Sequence, residues 1–282
     1  MAVCGAMGDP QGRALRGAPC RHHCSLIGVF DSGLGGLSVL AALVDALPRA
    51  DFSYYADTAH VPYGNKSEEQ IRCRVLAIGE HLAQQGCRLL VVACNTATAT
   101  AVQTLRTAHP GIPVVGVEPG IKPAARETRS GRIAVLTTEA TASSQRLKQL
   151  IRDHAGHVEV FVEPCPGWAT HVEMLRLDDP ALAADIRARV EPLLLQSVDR
   201  IVLGCTHYSF LKPLLKQTVG TRAELVDVAD AVARQTRRLA ADLADGSGRL
   251  HLHASAHPER VRAALPRLHL GHLAARVSAA SS

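Results

Sequence analysis

A recurring unit constrains this chain more than any other feature: a short apolar run, a polar or Gly-rich turn, then a helical pattern. Leu26 to Phe30 leads through Asp31-Ser32-Gly33-Leu34-Gly35-Gly36 into a helix from Leu37 to Leu47, stopped by Pro48. Leu89 to Ala93 ends at Cys94, and Ile201 to Gly204 ends at Cys205. The units return at nearly one offset, 106 residues from Ile27 to Ile133 and 111 from Cys94 to Cys205. Such alternation predicts an α/β protein of two similar, pseudo-symmetric α/β domains with largely parallel central sheets. Open sheets of this kind bind ligands beyond the carboxyl ends of their strands, where Cys94 and Cys205 fall.

The remaining elements follow the same logic. Phe52 to Ala56 reads as a strand and precedes the loop Asp57 to Gly64. A helix from about Ser67 to Gln85 carries Ile71, Val75, Ile78 and Leu82 at helical spacing and is stopped by Gly86. A helix over Thr98 to Ala108 and a strand over Val114 to Val117 close the first round. The second has a strand at Ile133 to Leu136, a helix to about Asp153, a strand at Val158 to Glu163, a helix over Ala181 to Ser197 and a strand at Arg200 to Gly204. A helix from about Ala229 to Leu243 is expected to pack back on the first half. The predicted division is a flexible extension over 1–25, a first domain of 26–117 plus 230–282, and a second of 118–229. The tail after Gly246, rich in His, Arg and Ala, has no clear pattern and reads as a solvated, irregular end.

Composition excludes several classes. Aromatic residues make up only 3% of the 282, so Ala, Val, Leu and Ile must fill the core. The net charge of +5 gathers near the ends, without a basic stripe interleaved with aromatics, which argues against a nucleic-acid binder. The first 25 residues lack an apolar signal core, and no run of 18 apolar residues offers a membrane span. Eight cysteines without framework spacing fit a reducing cytoplasm better than a disulfide scaffold.

Chemistry concentrates at the turns. The Gly-rich turn after Asp31 suits an anion at a helix N-terminus, but Asp31 would repel phosphate and the P-loop spacing is absent. An amino-acid carboxylate beside Ser32, with Asp31 turned toward a proton or an ammonium, fits better. A lone strand-end cysteine is usually a small buried hydrophobe. Cys94 and Cys205 occupy the same place in both halves, each followed by Thr within two residues, which indicates a functional pair. A free thiol ionises near pH ~8.5, so a thiol base needs a neighbour; Asp31 can serve one and His207 the other. Two such groups on opposite faces of a substrate would invert a carbon centre by moving a proton. Asn95 and the threonines supply neutral hydrogen bonds for a zwitterion. Zinc binding lacks clustered ligands, and a Cys-His hydrolase through His207 leaves one thiol unexplained.

Together, Phe30 to Gly36, Ala56-Asp57-Thr58-Ala59 with Val61-Pro62-Tyr63-Gly64, Ala93 to Thr98, Val117-Glu118-Pro119 with Ile121-Lys122-Pro123-Ala124, and Gly204 to Tyr208 resemble the bacterial glutamate racemases, within the aspartate/glutamate racemase family. The resemblance covers roughly Leu26 to Leu243. It implies a cofactor-independent and metal-free isomerase, with the active site at the interface of its two α/β domains, that interconverts L- and D-glutamate and supplies the D-isomer for peptidoglycan, cell-wall biogenesis and cell shape. By motif position Cys94 would act on the D-substrate and Cys205 on the L-substrate. Asp31 would assist the first thiol, and Glu173 and His207 the second. Ser32, Tyr63, Gly64, Asn95, Thr96, Thr138 and Thr206, with Asp31, match substrate-contacting positions. Glu173 falls eight residues after Cys165, as the family pattern requires. Ser209, Gly120 and Thr137 depart from the usual Pro, Ala and Gly, which bears on loop rigidity or affinity rather than proton transfer. The family's candidate partners are glutamate, a peptidoglycan-precursor activator, DNA gyrase and a second copy in a homodimer. An aspartate racemase and a gyrase-binding regulator are the competing readings.

Overall fold

Two parallel sheets share one wiring. The computed structural model describes residues 26–240, 243 and 245–278; the expected N-terminal extension lies outside them. The first half runs β1 (Leu26–Asp31), α1 (Leu37–Ala46), β2 (Asp51–Ala56), α2 (Glu68–Gln84), β3 (Cys87–Val92), α3 (Asn95–Ala108) and β4 (Val114–Gly116). After α4 (Ile121–Glu127), the second has β5 (Arg132–Thr137), α5 (Glu139–Ser143), α6 (Gln145–Ala155), β6 (Glu159–Pro164), α7 (Trp168–Glu173), α8 (Pro180–Leu195), β7 (Arg200–Leu203), α9 (Lys212–Val219) and β8 (Glu224–Val226). The chain then returns through α10 (Ala229–Leu239), β9 (Leu250–Ala254), α11 (Pro258–Arg267) and α12 (Gly271–Ala274).

The first sheet is ordered β4-β3-β1-β2-β9 and the second β8-β7-β5-β6, so β5 to β8 repeat the places of β1 to β4. Every neighbouring pair is parallel. Strands β1 and β7 are buried along their whole length, because parallel strands are covered on both faces and therefore read as apolar runs. One apolar cluster crosses both halves, from Val29 and Leu40 to Ile201, Leu203 and Tyr208.

Local chemistry sets the helix ends. Ser67 and Gln70 form a reciprocal capping box on α2, and Gly86 at φ +88° follows its end. α3 begins at Asn95, three residues before the expected start, because Cys94 caps it. The single helix expected up to Asp153 is two, since Ser144 ends α5 and caps α6. α10 packs on α1, the return to the first half that the sequence indicates. The tail corrects one expectation. Over its described residues, 247–278, it is folded: β9 adds to β2 in parallel, and Leu250, Val261, Leu265 and Leu273 join the main core.

Candidate active site

The carboxyl ends of β1, β3, β5 and β7 deliver the side chains. Asp31 ends β1, Cys94 caps α3, Thr138 caps α5 and Cys205 precedes the 3₁₀ turn Thr206–Leu211. In the first half, Cys94 Sγ lies 3.9 Å from Ser32 Oγ, which donates to Asp31 Oδ1 at 3.1 Å. The Gly33 N–H donates to the same carboxylate oxygen at 2.7 Å, and the Ala97 N–H donates to Cys94 Sγ at 3.5 Å. Burial pushes the Cys94 thiol far up, and the nearby charges of Asp31 and Cys205 add to this against the Ala97 and Ser32 hydrogen bonds. Burial also raises the Asp31 carboxyl, opposed by His207 and the Gly33 N–H.

In the second half, Cys205 Sγ lies 3.6 Å from His207 Nδ1, and His207 Nε2 lies 2.6 Å from Glu173 Oε1. Burial alone would lower the imidazole; the bonds to Cys205 and Glu173 outweigh it and hold His207 well above its ordinary value. The halves are stitched together here. Thr206 Oγ1 donates to Asp31 Oδ2 at 3.0 Å, and the Leu34 N–H donates to Glu173 Oε1 at 2.6 Å. Gly33 and Gly35 permit that approach: a Cβ on either would collide with Glu173 or with His207 and Thr206.

The other expected contacts divide. Asn95 is buried with neither side-chain amide atom bonded, a polar group open to a ligand. Thr96 Oγ1 lies 3.0 Å from Thr138 Oγ1, and a Cβ on Gly64 would press on Thr138. The Tyr63 hydroxyl donates to Asp57 Oδ2 at 2.6 Å, so it serves its own loop. Sequence reasoning did not single out Thr141, 3.2 Å from Thr96 Oγ1, or Arg74, which donates twice to Asp57. Thr141 is one turn beyond Thr138 and could have been found by that spacing; Arg74 carried no local signal.

The sequence of the Asp/Glu/Hydantoin racemase family matches residues 27–236. A glutamate racemase of Ectopseudomonas mendocina is 49% identical over 213 residues, covering 76% of this chain and 81% of that protein. One from Pseudomonas aeruginosa is 45% identical over 244 residues, with 85% and 92% covered. Among solved structures, a glutamate racemase isoform of Bacillus anthracis superposes with a TM-score of 0.82 at 30% identity, covering 92% of this chain and 98% of that one. The Escherichia coli glutamate racemase, in complex with L-glutamate and the activator UDP-MurNAc-Ala, gives 0.76 at 32% identity, covering 86% and 94%.

Proposed function

This chain belongs to the Asp/Glu/Hydantoin racemase family, and we propose that it interconverts L- and D-glutamate by two-thiol proton transfer at the α-carbon. The observation that carries the mechanism is the pair of matched strand-end cysteines, each with its own hydrogen-bonded proton partner, in one buried site. In the L-to-D direction the Cys205 thiolate takes the α-proton and becomes a thiol. Cys94 gives its thiol proton to the opposite face and becomes the thiolate. The reverse reaction runs these transfers backward.

Each thiolate needs help. An imidazolium at His207, oriented by Glu173, holds the charge of Cys205. Asp31 serves Cys94 through Ser32: a proton leaving sulfur passes to the Ser32 oxygen as the Ser32 hydroxyl proton passes to Asp31. A substrate ammonium favours this ionisation by offsetting the negative charge of the Cys94 thiolate it creates. General acid–base catalysis supplies roughly 10²–10⁴-fold, so exclusion of water and oriented hydrogen bonds must supply the rest. Asn95, Thr96, Thr138, Thr206 and the Tyr63-Gly64 backbone bind the carboxylates and ammonium with neutral groups.

We further read the product as a supply for peptidoglycan and the reaction as cytoplasmic; among the described residues no helix is long and apolar enough to cross a membrane. Residues 26–117 with 230–282 would form one lobe and 118–229 the other, parting to admit substrate. Circular dichroism with both enantiomers of glutamate and aspartate tests this reading. Wild type should racemise glutamate, and Cys94→Ser and Cys205→Ser should each lose nearly all turnover. Near-normal racemisation by either variant would refute the two-thiol assignment, and preference for aspartate would replace the substrate. Added UDP-MurNAc-Ala should raise the rate if activation extends to this chain. Gyrase inhibition by the double serine variant, and a sedimentation mass of two chains, test the remaining partners.

A further inference from the structure

The two halves of the site are anchored differently. Cys94 caps the 14-residue helix α3, which steadies that half from within. Cys205 leads into a six-residue 3₁₀ turn, which has poorer hydrogen-bond geometry than an α-helix and precedes α9. His207 sits on that turn, yet its Nε2 meets Glu173, at the far end of α7, at 2.6 Å. Glu173 and His207 thus meet from two separate elements, whose register matters to the site.

We propose that Trp168, backed by Asp185 and Arg189, is a positioning residue that couples α7, and hence Glu173, to the turn carrying His207. This deepens the racemase reading, and its kinetic arm rests on that reading. Trp168 is the first residue of α7 and is fully buried. Its ring meets Tyr208, the neighbour of His207, edge to face, with centroids 5.1 Å apart and planes at 62°, an arrangement the ring quadrupoles favour. Tyr208 is pinned in turn, its hydroxyl 3.2 Å from Thr137 O and 3.1 Å from Cys165 O.

On its other side, the Trp168 indole N–H donates to Asp185 Oδ2 at 2.7 Å. Arg189 donates to that oxygen at 2.9 Å, to Glu163 Oε1 at 2.8 Å and to Pro164 O at 2.9 Å. The contacts therefore run from the end of β6 through α8 to α7, and across the aromatic pair to the turn. Burial alone would raise the Asp185 carboxyl, but Trp168 and Arg189 hold it down, so the acceptor stays charged. A charged acceptor makes the stronger bond to the indole.

A purely structural role and a positioning role separate at the imidazole. Cys205, Glu173 and Asp31 face His207, and its proton affinity is raised by the contacts with Cys205 and Glu173, of which the second is the one that α7 positions. Trp168→Phe and Asp185→Ala in the full chain, with ¹⁵N-labelled histidine, allow the His207 ring nitrogens to be followed by NMR across pH, His207→Gln giving the assignment. Melting curves and racemisation are measured on the same samples. Both variants should titrate His207 at lower pH than wild type. Their kcat should fall about 10- to 100-fold with KM changed less than about threefold, since misplacement by ~1 Å can cost ~100-fold. The Asp185 side chain is 42% exposed, so Asp185→Ala reads the same coupling if Trp168→Phe fails to fold. An unshifted His207 titration in a folded variant overturns the proposal whatever the kinetics. A wild type inactive on both glutamate enantiomers would overturn the substrate reading, while the titration still decides the role of Trp168.

Discussion

Asp57 is fully buried and charged, and three side chains make that tolerable. Tyr63 donates to it at 2.6 Å, Arg74 twice at 2.9 Å, and His60 Nδ1 lies 3.0 Å away. Burial alone would raise the carboxyl; the Arg74 and Tyr63 bonds outweigh it and hold it below its ordinary value of 3.8. Arg74→Met would leave that carboxylate buried without its ion-pair partner, which costs about 3–5 kcal/mol, read as a lower melting temperature at neutral pH. A depressed carboxyl stabilises the fold above its unfolded pKa and loses that contribution as pH falls through the folded one. Wild type should therefore lose stability below about pH 4, whereas Arg74→Met, relieved by protonation, should lose less. His207 has the opposite sign. Its raised pKa keeps the imidazolium beyond its ordinary value of 6.5, so its contribution is full below that value and is lost as pH rises through the folded pKa. The alkaline limb of kcat/KM should follow this loss. His207→Gln should flatten that limb and lower kcat roughly 10²- to 10⁴-fold, the usual worth of an acid–base group. Because enantiomers have equal free energies in solution, kcat/KM must remain equal in the two directions for every variant. Any directional difference must appear in kcat and KM separately.

At the level of elements, β9 is the informative case. His253 on this strand lies between His81 of α2, with centroids 6.4 Å apart, and His251, at 6.5 Å. Burial, with the charges those two rings can carry, pushes His253 down to about 4. A depressed histidine stabilises the fold while neutral, above its ordinary value of 6.5, and that contribution is lost as pH falls toward 4. A shift of this size is worth at most about 3–4 kcal/mol, discounted because the ring is partly solvated. Thermal melts of wild type should decline between pH 6.5 and 4, and His253→Leu should decline less over that window. The same strand shows where sequence reasoning reached its limit. β1, β3, β5 and β7 were legible because burial on both faces leaves an uninterrupted apolar run. β9, Leu-His-Leu-His-Ala, is an edge strand whose histidines pack on α2 and on each other, and composition alone resembles a solvated tail. α7 was missed because it is only six residues long and starts after Gly167 in a left-handed conformation. Asp31, Cys94 and Cys205 could be read because a strand end and a turn place them locally. The partnerships of Arg74 with Asp57 and Trp168 with Asp185 span 17 residues each and form only once a helix packs against the neighbouring element, which no local pattern announces.

For the whole molecule, one seam gathers the links between the two sheets. Thr206 bonds Asp31, Leu34 bonds Glu173, the Ser38 hydroxyl donates to Thr206 O, and Thr96 meets Thr138 and Thr141; each link joins one half to the other. On the proposed two-thiol reading, substrate would enter a site this buried when the seam opens, and proton transfer in a dry site would need it closed again. Gly33 and Gly35 set how closely the halves approach, and neither has the positive φ that would itself demand glycine. Alanine at either position is therefore acceptable to the backbone but not to the seam. At Gly33 the new methyl would displace the Glu173 carboxylate from Leu34 and His207; at Gly35 it would press on the His207 ring and the Thr206 hydroxyl. Gly33→Ala and Gly35→Ala should each reduce kcat/KM about 100-fold or more, given how steeply rate depends on alignment. Their cores should still melt within a few degrees of wild type, because neither methyl enters an apolar cluster. Small-angle scattering with saturating glutamate should show wild type contracting and the alanine variants contracting less. Equal contraction with full activity in either variant would show that the seam does not govern the reaction.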